Sequence, residues 1–386
     1  MSRIGEPGHV RKQVFSKPEL IREFTPKFDR QVRERVDHKA CLDIHSVNGF
    51  GCGDSHNAAT SSRLAFHKWA KITMNAMPAL EFSRYTIPFT KSCRPKQSMD
   101  IGISVSGEVA RTLEALYFAK EAGEVTIGIT CNMESTLAKT ADIAIDITTP
   151  WMDIPRIRTY TASQIAMYQI ALRLAEVRSA ISYKEGRTIR DWFLRAADIG
   201  ELTHETNSSL IHELAQEFHK APAFFLLGGG PNLGSAMYSA AKILECDGSI
   251  AQPQDIEEWV HLQRFQKQIG LPIFLMAPYG LSYKRAVEQA RVIKKVQAKL
   301  IAVVEDGEKE ISSIADYVIP IKGHLPEELT PLVFSDPLEI FASDLAEVNE
   351  EPYFRGFTGP WASTNDDDPI WFNEKLTSLS QLDLDD

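Results

Sequence analysis

The feature that most constrains the fold is a pattern that occurs twice: a short apolar run, a turn rich in glycine or serine, and a helix. In the first half, MDIGIS leads through Val105-Ser106-Gly107 into ARTLEALYFAKEAG, and in the second, AFFLL leads through three glycines into AMYSAAKILE. Further β-rich runs lie near 43–50, 125–130, 142–147, 272–277, 299–304 and 315–320. Strands that alternate with helices are typical of parallel sheets with crossover helices. The pattern therefore predicts two tandem α/β domains, each a parallel sheet with helices on both faces.

These runs divide the 386 residues into five predicted parts. Residues 1–40 are charged, contain the helical stretch PKFDRQVRERVDHKA and are interpreted as a helical arm packed on a neighbour. The other parts are a first domain at 41–190, a polar linker at 191–215, a second domain at 216–345 and a C-terminal tail at 346–386. Two domains of about 150 residues each are large enough to bury a core.

Charge and composition exclude several classes of function. A net charge of −10 argues against nucleic acid and anionic membranes as partners. No apolar run approaches the roughly 18 residues of a membrane span, and the start MSRIGEPGHVRKQ has no signal-peptide core. We therefore expect a cytoplasmic protein. Five cysteines without C-x-x-C spacing, and histidines without H-E-x-x-H spacing, predict neither a metal site nor a cofactor.

Two turns in the first domain are candidate anion sites. Ser104 and Ser106 lie between a predicted strand and a predicted helix, and Ser55 lies in a similar turn, Gly51 to Asn57. Hydroxyls and N–H groups at a helix N-terminus bind phosphate and other small oxyanions. The alternative is an ordinary strand-to-helix turn with a serine cap.

A lysine, a glutamate and a histidine in the second domain are candidate proton-transfer residues. Lys242 and Glu245 are three residues apart in a helical stretch, so they share one face. His261 follows 16 residues after the glutamate, and Gly248 and Pro253 separate it from that helix. A carboxylate and a histidine can move protons near neutral pH, and a lysine favours negative charge developing on oxygen. Taken alone, a solvated Lys-Glu pair and a structural histidine explain the same residues.

Residues 40–357 resemble the double-SIS-domain sugar isomerase family, which includes the isomerase half of glucosamine-6-phosphate synthase. In that family a K-x-x-E helix is followed, 16 residues after the glutamate, by a ring-opening histidine in G-E-x-x-H-G-P. This chain has Lys242, Glu245 and His261 at the same spacing. The resemblance implies tandem flavodoxin-like domains, catalytic roles for these three residues, and an anionic sugar held by Ser55, Ser104 and Ser106.

The chain departs from the family at positions that bear on the substrate. The family loop S-Q-S-G-E-[ST] has Val105 and Val109 here, and Leu262-Gln263 replaces the Gly-Pro after the histidine. Arg111 is the predicted replacement for the missing donors. The sugar anion is accordingly a 6-phosphate or, since a sulfonate needs fewer donors, a 6-sulfonate such as that of sulfoquinovose. By resemblance the tail folds over the sugar, and Arg355 is a candidate substrate contact.

Three functions fit this resemblance. The first is an aldose-ketose isomerase acting on a hexose with an anionic C6 group. The second is a deglycase for a 6-phosphorylated fructose-amino acid conjugate, and the third is a non-catalytic sugar sensor. The family further implies a homodimer in which His261 of one subunit reaches the site that contains Glu245 of the other.

Overall fold

A computed structural model describes residues 8–90, 96–150, 153–354, 359–362 and 374–382. The chain forms two compact units, each assembled from three segments. The first-domain unit contains Glu23–Pro150, Thr159–Arg190 and Ser363–Asp386, and the second-domain unit contains Met1–Arg22, Trp151–Arg158 and Asp191–Ala362. No helix in the described part of the chain has both the length and the apolarity needed to cross a bilayer.

The first sheet consists of five parallel strands in the order β2-β1-β3-β4-β5. They are β1 Ser46–Gly51, β2 Thr73–Pro78, β3 Ser98–Ile103, β4 Val125–Thr130 and β5 Ile143–Asp146. The helices in the part of the chain up to residue 177 are α1 His9–Phe15, α2 Lys17–Arg35, α3 His38–Asp43, α4 Asp54–Ala65, α5 Ile87–Thr90, α6 Ala110–Glu121, α7 Thr136–Thr140 and α8 Arg158–Val177. Two π-helical turns lie at Phe66–Ala70 and Glu81–Thr86.

The second sheet has five parallel strands in the order β10-β9-β8-β6-β7. They are β6 Phe224–Gly228, β7 Ala251–Asp255, β8 Pro272–Met276, β9 Lys299–Glu305 and β10 Tyr317–Ile321. The remaining helices are α9 Tyr183–Phe218, α10 Pro231–Cys246, α11 Ile256–His261, α12 Tyr283–Lys295, α13 Pro331–Phe334 and α14 Asp336–Val348. Counted within each domain, both sheets have the flavodoxin order 2-1-3-4-5. The predicted fold class and its duplication are therefore confirmed.

Neighbouring residues in a strand point to opposite sides of the sheet, so apolar side chains emerge on both faces. Helices cover both faces and bury these side chains. In the first domain, Gly49 faces Ala59 and Met167, while Phe50 stacks on Phe82 at 4.4 Å in the core around α6. The same alternation places the helices of the second domain on opposite faces of their sheet.

Eight of the ten strands coincide with the predicted β-rich runs, and two of the four edge strands, β2 and β7, were missed. β2 reads TMNAMP and β7 reads AQPQD, so neither contains a continuous apolar run. An edge strand has a neighbour on one side only and tolerates polar residues and proline, which removes the hydrophobic signal.

The structure gives the form of two connecting segments. The segment 191–215, predicted to be a linker, lies within the continuous helix α9, whose apolar residues 193, 196, 197, 211, 214 and 215 are buried at helical spacing. The N-terminal arm, predicted to pack on a neighbour, has its first part in the second-domain unit of its own chain. Arg11 forms a bidentate contact of 2.7 and 2.8 Å with Asp344, and Lys17 contacts Asp336 and Glu339.

Candidate active site

The first candidate anion turn contains a glycine, Gly53, whose backbone conformation recurs at Gly230 in the second domain. Gly53 precedes α4 with φ 55° and ψ −126°, and Gly230 precedes α10 with φ 56° and ψ −123°. Only glycine adopts this region without strain. In each domain the turn brings a helix N-terminus to the carboxyl end of the first strand, where flavodoxin-like sheets bind ligands.

Ser55 lies in the first turn of α4 and is nearly buried. A Cβ added at Gly51 would stand 2.6 Å from the Cβ of Ser55, so the end of β1 and this turn are closely packed. The thiol of Cys52 lies 3.9 Å from the Thr112 hydroxyl on α6. Burial raises the pKa of the Cys52 thiol, while the Thr112 hydroxyl and the Arg111 guanidinium lower it. Arg111 is thus close enough to act electrostatically on the turn.

Ser104 and Ser106 shape the second candidate turn, which follows β3. The Ser104 hydroxyl accepts the N–H of Gly107 at 3.1 Å, and the Ser106 hydroxyl accepts the N–H of Glu108 at 3.2 Å. A hydroxyl that accepts one hydrogen bond still carries its own O–H donor. Both serines can therefore hold the loop and donate to an anion.

Contacts from the end of β4 and from the segment after it hold this loop in place. The Glu108 carboxylate accepts the N–H of Thr136 at 2.7 Å, and the Thr130 hydroxyl donates to the Val105 carbonyl at 3.2 Å. Gly107 has φ 71°, and a Cβ there would stand 2.1 Å from the Ser135 hydroxyl oxygen. These contacts and the close approach of Ser135 fix the path of the loop.

Arg111 belongs to a cluster that sequence reasoning missed. Glu114, fully buried, accepts hydrogen bonds from Arg111, from the Ser83 hydroxyl at 2.8 Å, and from Arg84 at 2.7 and 2.9 Å. Arg84 and Glu114 lie 30 residues apart and outside any motif, so only the folded chain reveals their pairing. The cluster places two guanidinium groups beside one buried carboxylate.

In the second domain, the structure brings Lys242 and Glu245 together on α10. The ammonium nitrogen of Lys242 lies 2.6 Å from Oε2 of Glu245, and the side-chain exposures are 1% and 31%. The same nitrogen lies 5.1 Å from the ring centroid of Tyr238. A buried cation is thus held beside a carboxylate that remains accessible.

His261 is the last residue of α11, and its side chain is 67% exposed. Its Nε2 lies 3.2 Å from Oε1 of Glu257. The helix is capped by Asp255, whose carboxylate accepts the N–H groups of Glu257 and Glu258.

Glu245 and His261 come from opposite faces of the second sheet. α10 packs beside α14, whose Phe341 contacts Phe224 and Phe274. α11 packs beside α12, and Trp259 lies in the core that contains Phe225. Phe224 and Phe225 are neighbours in β6, so their side chains point to opposite sides.

The remaining predicted residue, Arg355, lies outside the described residues. Within the part of the chain that the structure describes, no group of three or more His, Cys, Asp or Glu residues is arranged to hold a metal.

Burial lowers the pKa of His56, which follows Ser55, and its Nε2 lies 3.4 Å from the Thr60 hydroxyl.

Comparison with known proteins identifies relatives. Residues 43–173 match the family model for the SIS domain. The chain is 25% identical over 346 residues to an isomerizing glutamine-fructose-6-phosphate aminotransferase of Thermus thermophilus, covering 89% of this chain and 56% of that protein. It is 28% identical over 343 residues to the protein of that name from Gloeobacter violaceus, covering 87% and 55%. The chain thus spans about half the length of the curated relatives it matches.

Solved structures with the same fold cover nearly the whole chain. The C-terminal domain of glucosamine-fructose-6-phosphate aminotransferase from Francisella tularensis has a TM-score of 0.78 at 18% identity, covering 90% of this chain and 98% of that one. Glucosamine-6-phosphate deaminase from Thermotoga maritima has a TM-score of 0.72 at 18% identity, covering 90% and 97%. Residues 43–173 thus match the SIS domain, and the second domain has the same strand order.

Proposed function

We propose that this protein is an aldose-ketose isomerase acting on a hexose with an anionic group at C6. The observation that carries the proposal is the Lys242–Glu245 pair, a carboxylate 31% exposed beside a buried ammonium at 2.6 Å. In the open-chain aldose, Glu245 takes the C2 proton, and the C–H electrons form the C1–C2 double bond of an ene-diol as O1 gains a proton. Return of the proton to C1, with loss of the O2 proton, gives the ketose.

Lys242 has two roles in this proposal. Its ammonium group positions the Glu245 carboxylate, and its charge favours the negative charge that develops on oxygen during enolisation. The ammonium is held in place by the carboxylate and by the Tyr238 ring. A fixed, buried cation needs little reorganisation when the charge appears.

Ring opening is assigned to His261, which exchanges a proton between the C1 hydroxyl and the ring oxygen. The sugar anion is assigned to Ser55, Ser104, Ser106 and Arg111, with Arg355 as a further candidate contact. The relatives are named for fructose 6-phosphate and glucosamine 6-phosphate, which favours a 6-phosphate over a 6-sulfonate.

We further propose a homodimer in which His261 serves the partner's site. This is supported by the origin of Glu245 and His261 on opposite faces of one sheet and by the exposure of His261. It is also supported by the apolar side chains exposed beside the histidine, those of Leu262, Phe265 and Ile269. Glu245→Gln and His261→Asn proteins, each inactive, should regain activity when co-refolded as mixed dimers, and continued inactivity would reject the shared site.

The reaction itself is tested by proton NMR of the protein in D2O with glucose 6-phosphate and, separately, sulfoquinovose. We expect the ketose to appear with deuterium at C1 and the aldose re-formed by the reverse reaction to carry deuterium at C2. Glu245→Gln should lower the rate by about 10²- to 10⁴-fold. Glu288→Gln is the matched control because Glu288 forms an exposed i,i+3 pair with Arg285 in the same unit. Silence with both sugars, together with release of an amino acid from a fructosamine 6-phosphate, would replace the isomerase by the deglycase.

A further inference from the structure

The C-terminal segment Glu374–Leu382, hereafter the tail segment, lies against the first domain. The side chains of Leu376, Leu379 and Leu382 pack on the core cluster that contains Phe82 and Phe118. The Leu379 N–H donates to the Glu121 carboxylate at 2.8 Å. A capping box between Ser378 and Gln381 fixes the turn at its end. Apolar anchors and a backbone hydrogen bond thus attach the tail segment to a defined surface.

The first residue of the tail segment reaches the arginine cluster beside the candidate anion turns. One carboxylate oxygen of Glu374 lies 2.8 Å from Nη2 of Arg84, while Nε and Nη2 of the same arginine bind Glu114. Glu114 is fully buried and also binds Arg111, whereas the Glu374 side chain is 62% exposed. Of the two carboxylates in this cluster, Glu374 is therefore the one that can separate from Arg84 and return to water at a small free-energy cost.

Electrostatics connect Glu374 to both arginines. The hydrogen bond and charge of Arg84 lower the pKa of Glu374, and the charge of Arg111 adds to the effect. Arg111 also acts on Cys52, which lies three residues before Ser55. The negative charge of Glu374 thus stands within range of the cation that would attract a sugar anion.

We propose that Glu374 is a tethered counter-ion of the Arg84–Arg111 pair and that it competes with the anionic group of the substrate for these cations. This inference rests on the proposed function, since it assumes that the anion binds at the first-domain turns. It assigns Arg84 to the anion site, together with Arg111, and gives the tail segment a role in setting the affinity of that site. A phosphate or sulfonate is the ligand class that it regulates.

The test measures binding of inorganic phosphate and sulfate to the full chain by titration calorimetry. Removing one exposed ion-pair partner should tighten anion binding by about two- to five-fold in Glu374→Gln. The gain should shrink at about 0.15 M ionic strength, where the Debye length is about 8 Å. Glu121→Gln is the matched control, because it makes the same charge change at the tail segment but lies ten residues beyond Arg111, about 15 Å along α6.

The outcomes separate this inference from the function on which it rests. Tighter binding in Glu374→Gln, with Glu121→Gln unchanged, supports the competition. Equal or weaker binding in Glu374→Gln, with the wild type binding normally, overturns the competition and leaves the anion site intact. If the wild type and Glu374→Gln both bind neither anion, the assigned anion site is wrong and the competition falls with it. An equal gain in both variants also overturns it, because general electrostatics would then account for the effect.

Discussion

Asp100 in the middle of the first sheet should destabilise the protein at neutral pH, and Asp100→Asn should relieve much of this cost. The side chain is fully buried on β3, and Oδ1 accepts hydrogen bonds from Ser98 at 2.6 Å and from Asn48 at 2.8 Å. Oδ2 has no hydrogen-bond partner among the described residues. Burial raises the pKa of Asp100 from 3.8 to about 6, against the opposing effect of Ser98 and Asn48.

The magnitude follows from this pKa difference. A change from 3.8 to about 6 corresponds to about 3 kcal/mol at 1.36 kcal/mol per pKa unit. Because the folded state holds the proton more tightly, the cost is absent below pH about 4, grows up to pH about 6 and is constant above it. The amide in Asp100→Asn keeps the Oδ1 acceptor but leaves an N–H unsatisfied, which costs about 1 to 2 kcal/mol. We therefore expect a net gain of about 1 to 2 kcal/mol at pH 8.

The assay is urea unfolding of the wild type and the variant at pH 8 and pH 4, and it measures the free energy of unfolding of the first domain. Asp100→Asn should be more stable at pH 8, and this advantage should disappear at pH 4. Asp142→Asn is the matched control: burial raises the pKa of Asp142, but bonds of 3.0 and 2.9 Å from the N–H and hydroxyl of Thr126 outweigh burial and lower it. That variant should lose stability at pH 8. A loss in Asp100→Asn at pH 8, or a gain that does not change with pH, would refute the reasoning.

Three further substitutions test other features of the fold. Lys17→Met should lower the free energy of unfolding by about 3 to 5 kcal/mol, because it leaves Asp336 and Glu339 buried without their cation; a chemical denaturation curve that matches the wild type would contradict this. Gly53→Ala and Gly230→Ala should each cost about 1 to 3 kcal/mol from backbone strain, because the added methyl group meets nothing closer than 3.8 Å at either site. Unequal costs, measured by thermal unfolding, would show that local packing and not the shared conformation decides.

The central strands and the pairing of Lys242 with Glu245 could be predicted because their signals are local. A buried strand such as β4 is a continuous apolar run, and residues three apart on a helix always share a face. The edge strand β7 was missed because proline and two glutamines interrupt it. The contact of Lys17 with Asp336 spans 319 residues, and a salt bridge at that separation has no sequence signature.

The candidate site likewise has features that the sequence predicts and features that only the folded chain reveals. Spacing identified Glu245 and His261, but it could not show that their helices lie on opposite faces of one sheet. That property depends on which way β6 side chains point and on which helix packs over each of them. The Arg84–Glu114 pair was invisible for a similar reason, since it joins a π-helical turn to α6 across 30 residues.

The matching conformations of Gly53 and Gly230 distinguish a structural role of the glycine from a role in binding a ligand. Both copies of the duplicated domain retain the glycine, although anion contacts are proposed for the first copy alone. A glycine with this conformation in the copy for which no anion contact is proposed serves the path of the chain, which must turn sharply from a strand into a helix. The glycine therefore has a structural role in both domains. The proposed anion contacts come from the neighbouring serines and arginines, which only the first copy carries in this arrangement.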